Sequence, residues 1–330
     1  MRAADPLLPD DLEEVGARTR AGLEQVEEGL ATAVGSADPF VHEAAGHLLA
    51  AGGKRFRPTL VLLAGHFGDP SDPRLIDVAV AIELTHLSTL YHDDVMDEAA
   101  VRRGIPSANA AYGNKLAILT GDYLFARASE VTARLGSEAT GVLAAAIARL
   151  VEGQIRESRG PHPAQDPVDH YMSVLADKTG SLIAAACRLG GMLAGAPPDA
   201  VQALTTYGER IGVAFQLRDD LLDVSTEPSV TGKAPGTDLL AGVRTLPVLY
   251  LLRRGGPEAA ELTRFLEGER DQQALDRILD LVRGSPAFEE ARQAAQAEAV
   301  RAKDALAGLE EGHARQALDE VADRVLDRRA

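Results

Sequence analysis

The chain has 330 residues, 45% of them hydrophobic and 25% charged, so it is long enough to bury a large core. Its formal net charge of −16 argues against a general nucleic-acid binder, because such binding needs a basic face. The single cysteine, Cys187, excludes an intrachain disulfide, and its Ala-rich apolar setting favours a buried structural thiol over a nucleophile.

Apolar residues recur at helical spacing along nearly the whole chain, and no segment alternates as a strand does. Short breaks rich in Gly and Pro separate the predicted helices, and none is typical of an interdomain linker. The predicted helices cover 11–34, 38–51, 55–67, 75–98, 114–135, 138–159, 168–176, 178–194 and 199–224, with another from about 238 and helix pairs over 257–330. We therefore expect one all-α domain over residues 1–330, a single large helical bundle.

Neither a membrane span nor a signal peptide is expected. No apolar run approaches the ~18 residues that cross a bilayer. The N-terminal residues are acidic and lack an apolar core. These features predict a cytoplasmic protein.

Two acidic motifs of the same form, Asp-Asp-x-x-Asp, stand out on the predicted helices 75–98 and 199–224. Their members are Asp93, Asp94, Asp97, Asp219, Asp220 and Asp223. Residues four apart lie on one face of a helix, and grouped carboxylates favour hard cations such as Mg²⁺. One such cluster alone is typical of a solvated acidic surface. The repeat instead predicts two helices that hold several Mg²⁺ ions between them.

Basic residues suggest the ligand of those ions. Arg102 and Arg103 follow the first motif, and Lys54 and Arg57 lie three apart near a predicted helix start. Such groups bind oxyanions, so a Mg²⁺-bound phosphate or diphosphate is the simplest shared ligand. Taken singly, the Lys54 segment is equally typical of a solvated basic turn.

Other candidates are weaker when taken singly. His86 lies two helical turns before Asp93, although a lone helical histidine is more often a packed core residue. Lys178 and Thr179 open an apolar helix, where they could contact a phosphate or where Thr179 could simply cap the helix. Gln216 projects beside the second acidic motif. Lys233 lies in a Gly- and Pro-rich loop that could cover a phosphate site.

As a set, these motifs resemble the trans-isoprenyl diphosphate synthases, also called polyprenyl synthetases. They occur in the family's order over residues 52–250. The matching segments are Gly52-Gly-Lys-Arg-x-Arg-Pro58, His86, His92-Asp-Asp-Val-x-Asp97, Arg102-Arg-Gly104, Gly121-Asp-Tyr-Leu124, Lys178-Thr-Gly180, Phe215-Gln-x-x-Asp-Asp-x-x-Asp223, Gly232-Lys233, Gly236-Thr-Asp-Leu239 and Thr245-Leu-Pro247.

The resemblance implies a fold, a reaction and a set of ligands. It implies an isoprenoid synthase bundle with a central cavity, in which isopentenyl diphosphate is joined to an allylic diphosphate. Three Mg²⁺ ions per active site would be held by the acidic motifs. The implied allylic contacts are Arg102, Lys178, Thr179, Gln216 and Lys233. The implied isopentenyl contacts are Lys54, Arg57, His86 and Arg103. A homodimer and transient membrane contact for product release are implied as well.

One position departs from the family pattern. The family usually has Lys after the glycine at position 242, where this chain has Val243 followed by Arg244. Either Arg244 takes over the role, or the affinity for allylic diphosphate is lower than usual.

Product length is predicted from the residues before Asp93. Thr85, Ser88 and Thr89 are small, whereas large aromatic side chains there would close the pocket in short-chain family members. Their absence predicts an open tunnel and a product from hexaprenyl to nonaprenyl, suited to a menaquinone or ubiquinone side chain. The direction of the bulky Tyr91 is not determined by the sequence. A short-chain farnesyl or geranylgeranyl diphosphate synthase is the alternative.

Three other functions explain the sequence less well. A class I terpene cyclase would line its cavity with aromatic residues, but this chain has few of them: no Trp, seven Phe and six Tyr. A di-iron bundle would use Glu83-x-x-His86 and Glu310-x-x-His313 but leaves the Asp motifs and basic residues unexplained. A non-catalytic synthase subunit would have eroded Asp motifs, and both are intact.

Overall fold

The computed structural model describes residues 13–225, 235–268 and 271–327. Within these ranges the chain is almost wholly helical, and its only sheet is one short antiparallel hairpin. The prediction of an all-α fold is confirmed. In the same ranges no helix combines the length and apolarity that crossing a bilayer requires.

Most of the observed helices follow the predicted ones. The short helix 108–112 was not predicted, and the single helix expected from about 238 is two helices. Lys178 and Thr179 do not open a helix as predicted but lie in a turn between two helices. The observed helices are α1 Glu13–Ala33, α2 Pro39–Ala50, α3 Phe56–Gly65, α4 Arg74–Met96, α5 Ala108–Tyr112, α6 Asn114–Arg134, α7 Ser137–Arg159, α8 Pro167–Leu175, α9 Ser181–Leu193, α10 Pro198–Val224, α11 Thr237–Ala241, α12 Leu246–Arg254, α13 Gly256–Glu267, α14 Gln272–Gly284, α15 Pro286–Ala305 and α16 His313–Asp327. Helical periodicity predicted neither the hairpin of β1 Val101–Arg102 and β2 Ile105–Pro106 nor the π-helical turn Ala176–Gly180. Both lie at predicted ligand-binding residues.

Contacts divide the chain into two compact units. Among the described residues, the first unit contains 13–148, 182–208 and 305–321, and the second unit contains those within 149–181, 209–304 and 322–327. The first acidic motif belongs to the first unit and the second acidic motif to the second unit. A single domain over the whole chain, with one cavity between the motifs, stays a prediction.

Helix α4 is the centre of the first unit. It packs against α1, α3 and α6, and its apolar side chains are buried around much of its circumference, as expected for a core helix. Tyr91 is fully buried, and its hydroxyl donates to the carbonyl oxygen of Ala44 on α2 at 2.6 Å. The side chain that the sequence left undetermined therefore ties α4 to α2.

Cys187 is buried in this first unit, where it forms no disulfide. Burial raises the pKa of its thiol far above the ordinary value. A protonated, enclosed thiol is a poor nucleophile. The prediction of a structural cysteine is confirmed.

In the second unit, α10 is held by its apolar face. Leu217 and Leu221, one turn apart, are buried in a cluster with Leu246 and Leu249 of α12. This packing fixes the rotation of α10 about its axis. It thereby determines which of the intervening Asp side chains reach the surface of the unit.

Candidate active site

The first acidic motif ends α4, and its three carboxylates differ in environment. Asp93 is half-buried and Asp97 is exposed, whereas Asp94 is fully buried. The Nε of Arg102 donates to the Oδ1 of Asp94 at 2.6 Å. A predicted metal ligand and a predicted allylic diphosphate contact are therefore paired with each other. Asp93 and Asp97 are the members of the motif that are open to solvent.

The hairpin after α4 directs the two arginines to different partners. Arg103, in the left-handed region at φ 53°, donates from Nη1 to the carbonyl oxygens of Leu48, at 3.0 Å, and Gly52. Arg103 thereby binds the C-terminal end of α2 and the start of the predicted basic turn. It lies close to the residues with which it was predicted to share isopentenyl diphosphate.

Arg55 in the basic turn is a buried strut that the sequence analysis did not identify. Its Nε lies 2.5 Å from Glu27 of α1, and its Nη1 lies 3.1 Å from Glu83 of α4. Its backbone is left-handed at φ 47°, which costs a non-glycine residue about 1–3 kcal/mol and persists only where neighbours enforce it. Both carboxylates therefore hold the turn that carries the exposed Lys54.

Positive charge is in excess around this strut. A Cβ on Gly53 would lie 2.5 Å from Nη1 of Arg55 and 3.1 Å from Nη1 of Arg103, so both guanidinium groups lie beside this glycine. Burial, with the charge of Arg103, lowers the pKa of Arg57 to about 10, although Glu83 opposes the shift. The Nε of Arg57 is buried with no hydrogen-bond partner among the described groups. An anion would satisfy this group and offset the charge.

His86 lies next to the same guanidinium groups. Burial lowers its pKa well below the ordinary 6.5, and the charges of Arg57 and Arg103 lower it further. The imidazole is therefore neutral near pH 7. The predicted group of Lys54, Arg57, His86 and Arg103 lies within one unit, although its contact with isopentenyl diphosphate stays a prediction.

His92, the neighbour of Asp93, is held by α6. Its Nε2 lies 3.2 Å from the carbonyl oxygen of Ile118 and 3.3 Å from Oδ1 of Asp122. A Cβ on Gly121 would lie only 2.4 Å from the same nitrogen, so a larger residue there would force the ring to move. The Gly121-Asp122 pair, which the sequence indicated only through the family resemblance, thus orients His92 beside the first acidic motif.

The residues predicted to set product length lie inside the first unit. Thr85 and Ser88 are buried, and Thr89 is half-buried. The hydroxyl of Thr85 donates to the carbonyl oxygen of Ala81 at 2.9 Å, so it is satisfied within α4. Small side chains stand at all three positions, and the open tunnel stays a prediction.

In the second unit, Asp220 is the buried member of its motif. It accepts hydrogen bonds from the hydroxyl of Tyr171 on α8 and from Nε2 of Gln216, the latter at 3.0 Å. The Oγ1 of Thr179 donates to Oε1 of Gln216 at 3.3 Å. Three predicted site residues therefore form one hydrogen-bonded row, Thr179–Gln216–Asp220, whose end is fixed by Tyr171.

Burial raises the pKa of Asp220 to about 7, while the hydrogen bonds from Tyr171 and Gln216 oppose that shift. The charges of Asp238 and Asp219 raise it further. A cation would favour the ionised carboxylate. The site is therefore electrostatically suited to a metal ion.

Asp223, the last member of the motif, also binds the N-terminus of α11. Its Oδ1 and Oδ2 accept the backbone N–H groups of Thr237 and Asp238, each at 3.1 Å. Asp219 and Asp223 are half-buried. Hard oxygen donors of this kind fit Mg²⁺, although no three candidate ligands are already gathered around one point in the described ranges. The assignment of all six Asp residues as metal ligands stays a prediction.

The remaining candidates have different outcomes. Lys178 forms an ion pair with Glu157 at 2.5 Å. Val243 and Arg244, at the departure from the family pattern, are both exposed. Lys233 lies outside the described residues, so its predicted contact is neither supported nor opposed.

Comparison with known proteins gives a consistent result. The model of the family described as polyprenyl synthetase matches residues 38–282. The nonaprenyl diphosphate synthase of Mycobacterium tuberculosis is 46% identical over 314 residues, which are 94% of this chain and 94% of that protein.

Two crystal structures resemble the chain closely. The polyprenyl synthase from Caulobacter crescentus CB15, complexed with calcium and isoprenyl diphosphate, has a TM-score of 0.90 at 33% identity and covers 97% of this chain and 98% of its own. The geranylgeranyl pyrophosphate synthase from Corynebacterium glutamicum, with the same ligands, has a TM-score of 0.86 at 41% identity, with coverages of 97% and 98%. The chain belongs to the polyprenyl synthetase family.

Proposed function

We propose that the chain is a Mg²⁺-dependent trans-polyprenyl diphosphate synthase that condenses isopentenyl diphosphate with an allylic diphosphate. The observation that carries this proposal is the excess of guanidinium groups around Arg55 in the first unit, where Nε of Arg57 has no hydrogen-bond partner among the described groups. Membership of the family makes the chain a prenyltransferase that acts on these diphosphates with a divalent metal.

Isopentenyl diphosphate is assigned to the basic cluster of the first unit. Lys54, Arg57 and Arg103 would bind its diphosphate, because their charge exceeds that of the two carboxylates that hold Arg55. Neutral His86 would act as a hydrogen-bonding group and not as a further cation. The double bond of isopentenyl diphosphate can then attack the allylic carbon while its diphosphate end stays fixed.

The allylic diphosphate is assigned to the acidic motifs and the basic groups near them. Thr179 and Gln216 are already aligned with Asp220, and Lys178 and Arg102 would exchange a carboxylate partner for a phosphate oxygen. Three Mg²⁺ ions, held by the six Asp residues, would neutralise the charge that develops on the departing diphosphate. The proton lost after condensation can pass to that diphosphate, so no protein nucleophile is needed.

The product is proposed to be long, from hexaprenyl to nonaprenyl, and to serve as a quinone side chain. Small Thr85, Ser88 and Thr89 support this length, as does the similarity to the mycobacterial nonaprenyl diphosphate synthase. The likeness to the geranylgeranyl pyrophosphate synthase from Corynebacterium glutamicum favours the second candidate, a short-chain synthase.

A cytoplasmic homodimer is part of the proposal. Helix α6 exposes several large apolar side chains, namely Leu116, Ile118, Leu119 and Phe125. A second copy of this chain would cover them, since large exposed apolar patches mark interaction sites. Transient membrane contact during product release is proposed because the released hydrocarbon is water-insoluble.

A product assay tests the function. The purified protein is incubated with Mg²⁺, isopentenyl diphosphate and farnesyl or geranylgeranyl diphosphate, and the extracted chains are sized chromatographically. Elongation to six to nine isoprene units is expected from the open-tunnel proposal. Elongation that stops at four units or fewer would replace the long-chain proposal with the short-chain one. No elongation would refute the synthase assignment.

A further inference from the structure

Charged residues that the proposed function does not use form ion pairs with the π-helical turn Ala176–Gly180. Nη2 of Arg149 lies 2.8 Å from Oδ1 of Asp177 and 2.7 Å from Oε1 of Glu209. Arg156 donates to the other carboxylate oxygen of Asp177. We call these four residues the Asp177 clamp.

One face of α7 supplies both arginines and also approaches the backbone of the turn. Gly153 lies between them in sequence, and a Cβ at this position would lie 2.7 Å from the backbone nitrogen of Lys178. Arg149, Gly153 and Arg156 recur at helical spacing, so they face the turn together. Within the same helical segment, the hydroxyl of Ser181, four residues further on, donates to the carbonyl oxygen of Asp177 at 2.6 Å.

The turn determines where Lys178 and Thr179 point. A π-helical turn contains one residue more than an α-helical turn, so it rotates the following side chains by about 100° relative to an uninterrupted helix. Such turns are local irregularities that need support from their surroundings. Lys178 and Thr179 both lie within this turn, and Thr179 donates from it to Gln216.

We propose that Arg149, Arg156 and Asp177 are positioning residues for the allylic diphosphate. By holding the π-helical turn in register, the Asp177 clamp places Lys178 and Thr179 where they meet the diphosphate. This inference rests on the proposed function and extends it to residues outside the substrate contacts.

Stability alone does not account for the clamp. Arg149 is 43% exposed and Arg156 is 37% exposed, and ion pairs at such positions contribute about 0–1 kcal/mol each. Two guanidinium groups bind the one carboxylate of Asp177. This arrangement fixes the orientation of that side chain more than it adds to the free energy of unfolding. The expected effect of breaking the clamp is therefore on substrate binding.

Steady-state kinetics of Asp177→Asn test the proposal. The KM for farnesyl diphosphate is expected to rise about tenfold, because small displacements of binding groups are costly. The KM for isopentenyl diphosphate should change less than about twofold. Amide hydrogen exchange at residues 176–181 should become faster. Arg156→Lys, which keeps one donor, should show a smaller change of the same kind.

Glu290→Gln is the matched control, since it breaks the ion pair between Arg254 and Glu290 on two other helices. It should leave both KM values and the exchange of 176–181 unchanged. An unchanged allylic KM in Asp177→Asn would overturn the proposal. So would a parallel change of both KM values together with Tm.

A separate arm distinguishes failure of the clamp from failure of the proposed function. Pyrophosphate with Mg²⁺ is titrated calorimetrically into the native protein and into Asp177→Asn. Weaker binding by the variant supports the clamp even if no elongation is seen. Equal binding with unchanged hydrogen exchange overturns the clamp whatever the activity of the native protein.

Discussion

Arg102 forms an ion pair with Asp94 at 2.6 Å, and the carboxylate of Asp94 is fully buried. The pair joins the hairpin to the end of α4 inside the first unit. A buried carboxylate that loses its cationic partner is costly. The pair therefore has a structural role besides any contact with substrate.

Replacing Arg102 with Met should lower both activity and the free energy of unfolding. We expect a loss of about 1–3 kcal/mol, since Asp94 would stay buried with less compensation. Urea unfolding measures the loss. Asp97→Asn is the comparison, because Asp97 is exposed and its substitution should lower kcat without a change in Tm. Native stability of Arg102→Met would contradict the structural role.

Gly121→Ala should disturb the first acidic motif through His92. The added carbon would lie 2.4 Å from Nε2 of His92, so the ring must move. We expect a loss of about 1–3 kcal/mol in stability and a lower kcat. Gly141→Ala on α7, where a Cβ would meet nothing within 4 Å, should instead stabilise the protein by about 0.5–1 kcal/mol. Equal effects of the two variants would refute the packing argument.

Stability should fall as the pH drops below 6.5 because of His86. Its pKa is lowered in the folded state, so below 6.5 the unfolded chain binds a proton that the folded chain does not. The loss approaches about 1.4 kcal/mol per pH unit until the folded-state pKa is reached. His86→Gln should flatten this dependence in urea unfolding between pH 5 and 7.5. An unchanged slope would show that His86 is not the responsible group.

Glu83→Gln should make the protein depend more on a bound anion. Arg55 would keep Glu27, but the cluster with Arg57 and Arg103 would lose its most buried carboxylate. We expect a loss of about 2 kcal/mol in free protein. Added pyrophosphate should raise the Tm of the variant by more than that of the native protein. Glu130→Gln, at an exposed ion pair with Arg127, is the control.

The helices and both acidic motifs could be predicted because each depends on the spacing of residues that are close together in the sequence. The apolar period of α4 and α10 gave their extents, and the four-residue spacing of Asp93 and Asp97 gave a shared face. Charge pairing across the fold could not be predicted in this way. Nothing near Asp94 in sequence shows that a hairpin will return Arg102 to it.

Three supporting features could not be predicted from local sequence patterns. The π-helical turn differs from an α-helix by one residue, which a 3.6-residue period does not reveal. Tyr171 contacts Asp220 only because α8 packs beside α10, a long-range result of the fold. Arg55 stood inside a recognised motif, yet its burial between Glu27 and Glu83 depends on three helices meeting.

In the proposed metal site, the carboxylate of Asp223 would have two tasks, and this would couple them. Both of its oxygens accept N–H groups at the start of α11. A cation that draws electron density from these oxygens weakens their hold on the helix, and a firmly held helix weakens the cation's hold on them. By thermodynamic reciprocity, the two equilibria must influence each other to the same extent. Binding of the proposed metal should therefore change the environment of the Thr237 and Asp238 amides, which need not touch the metal themselves.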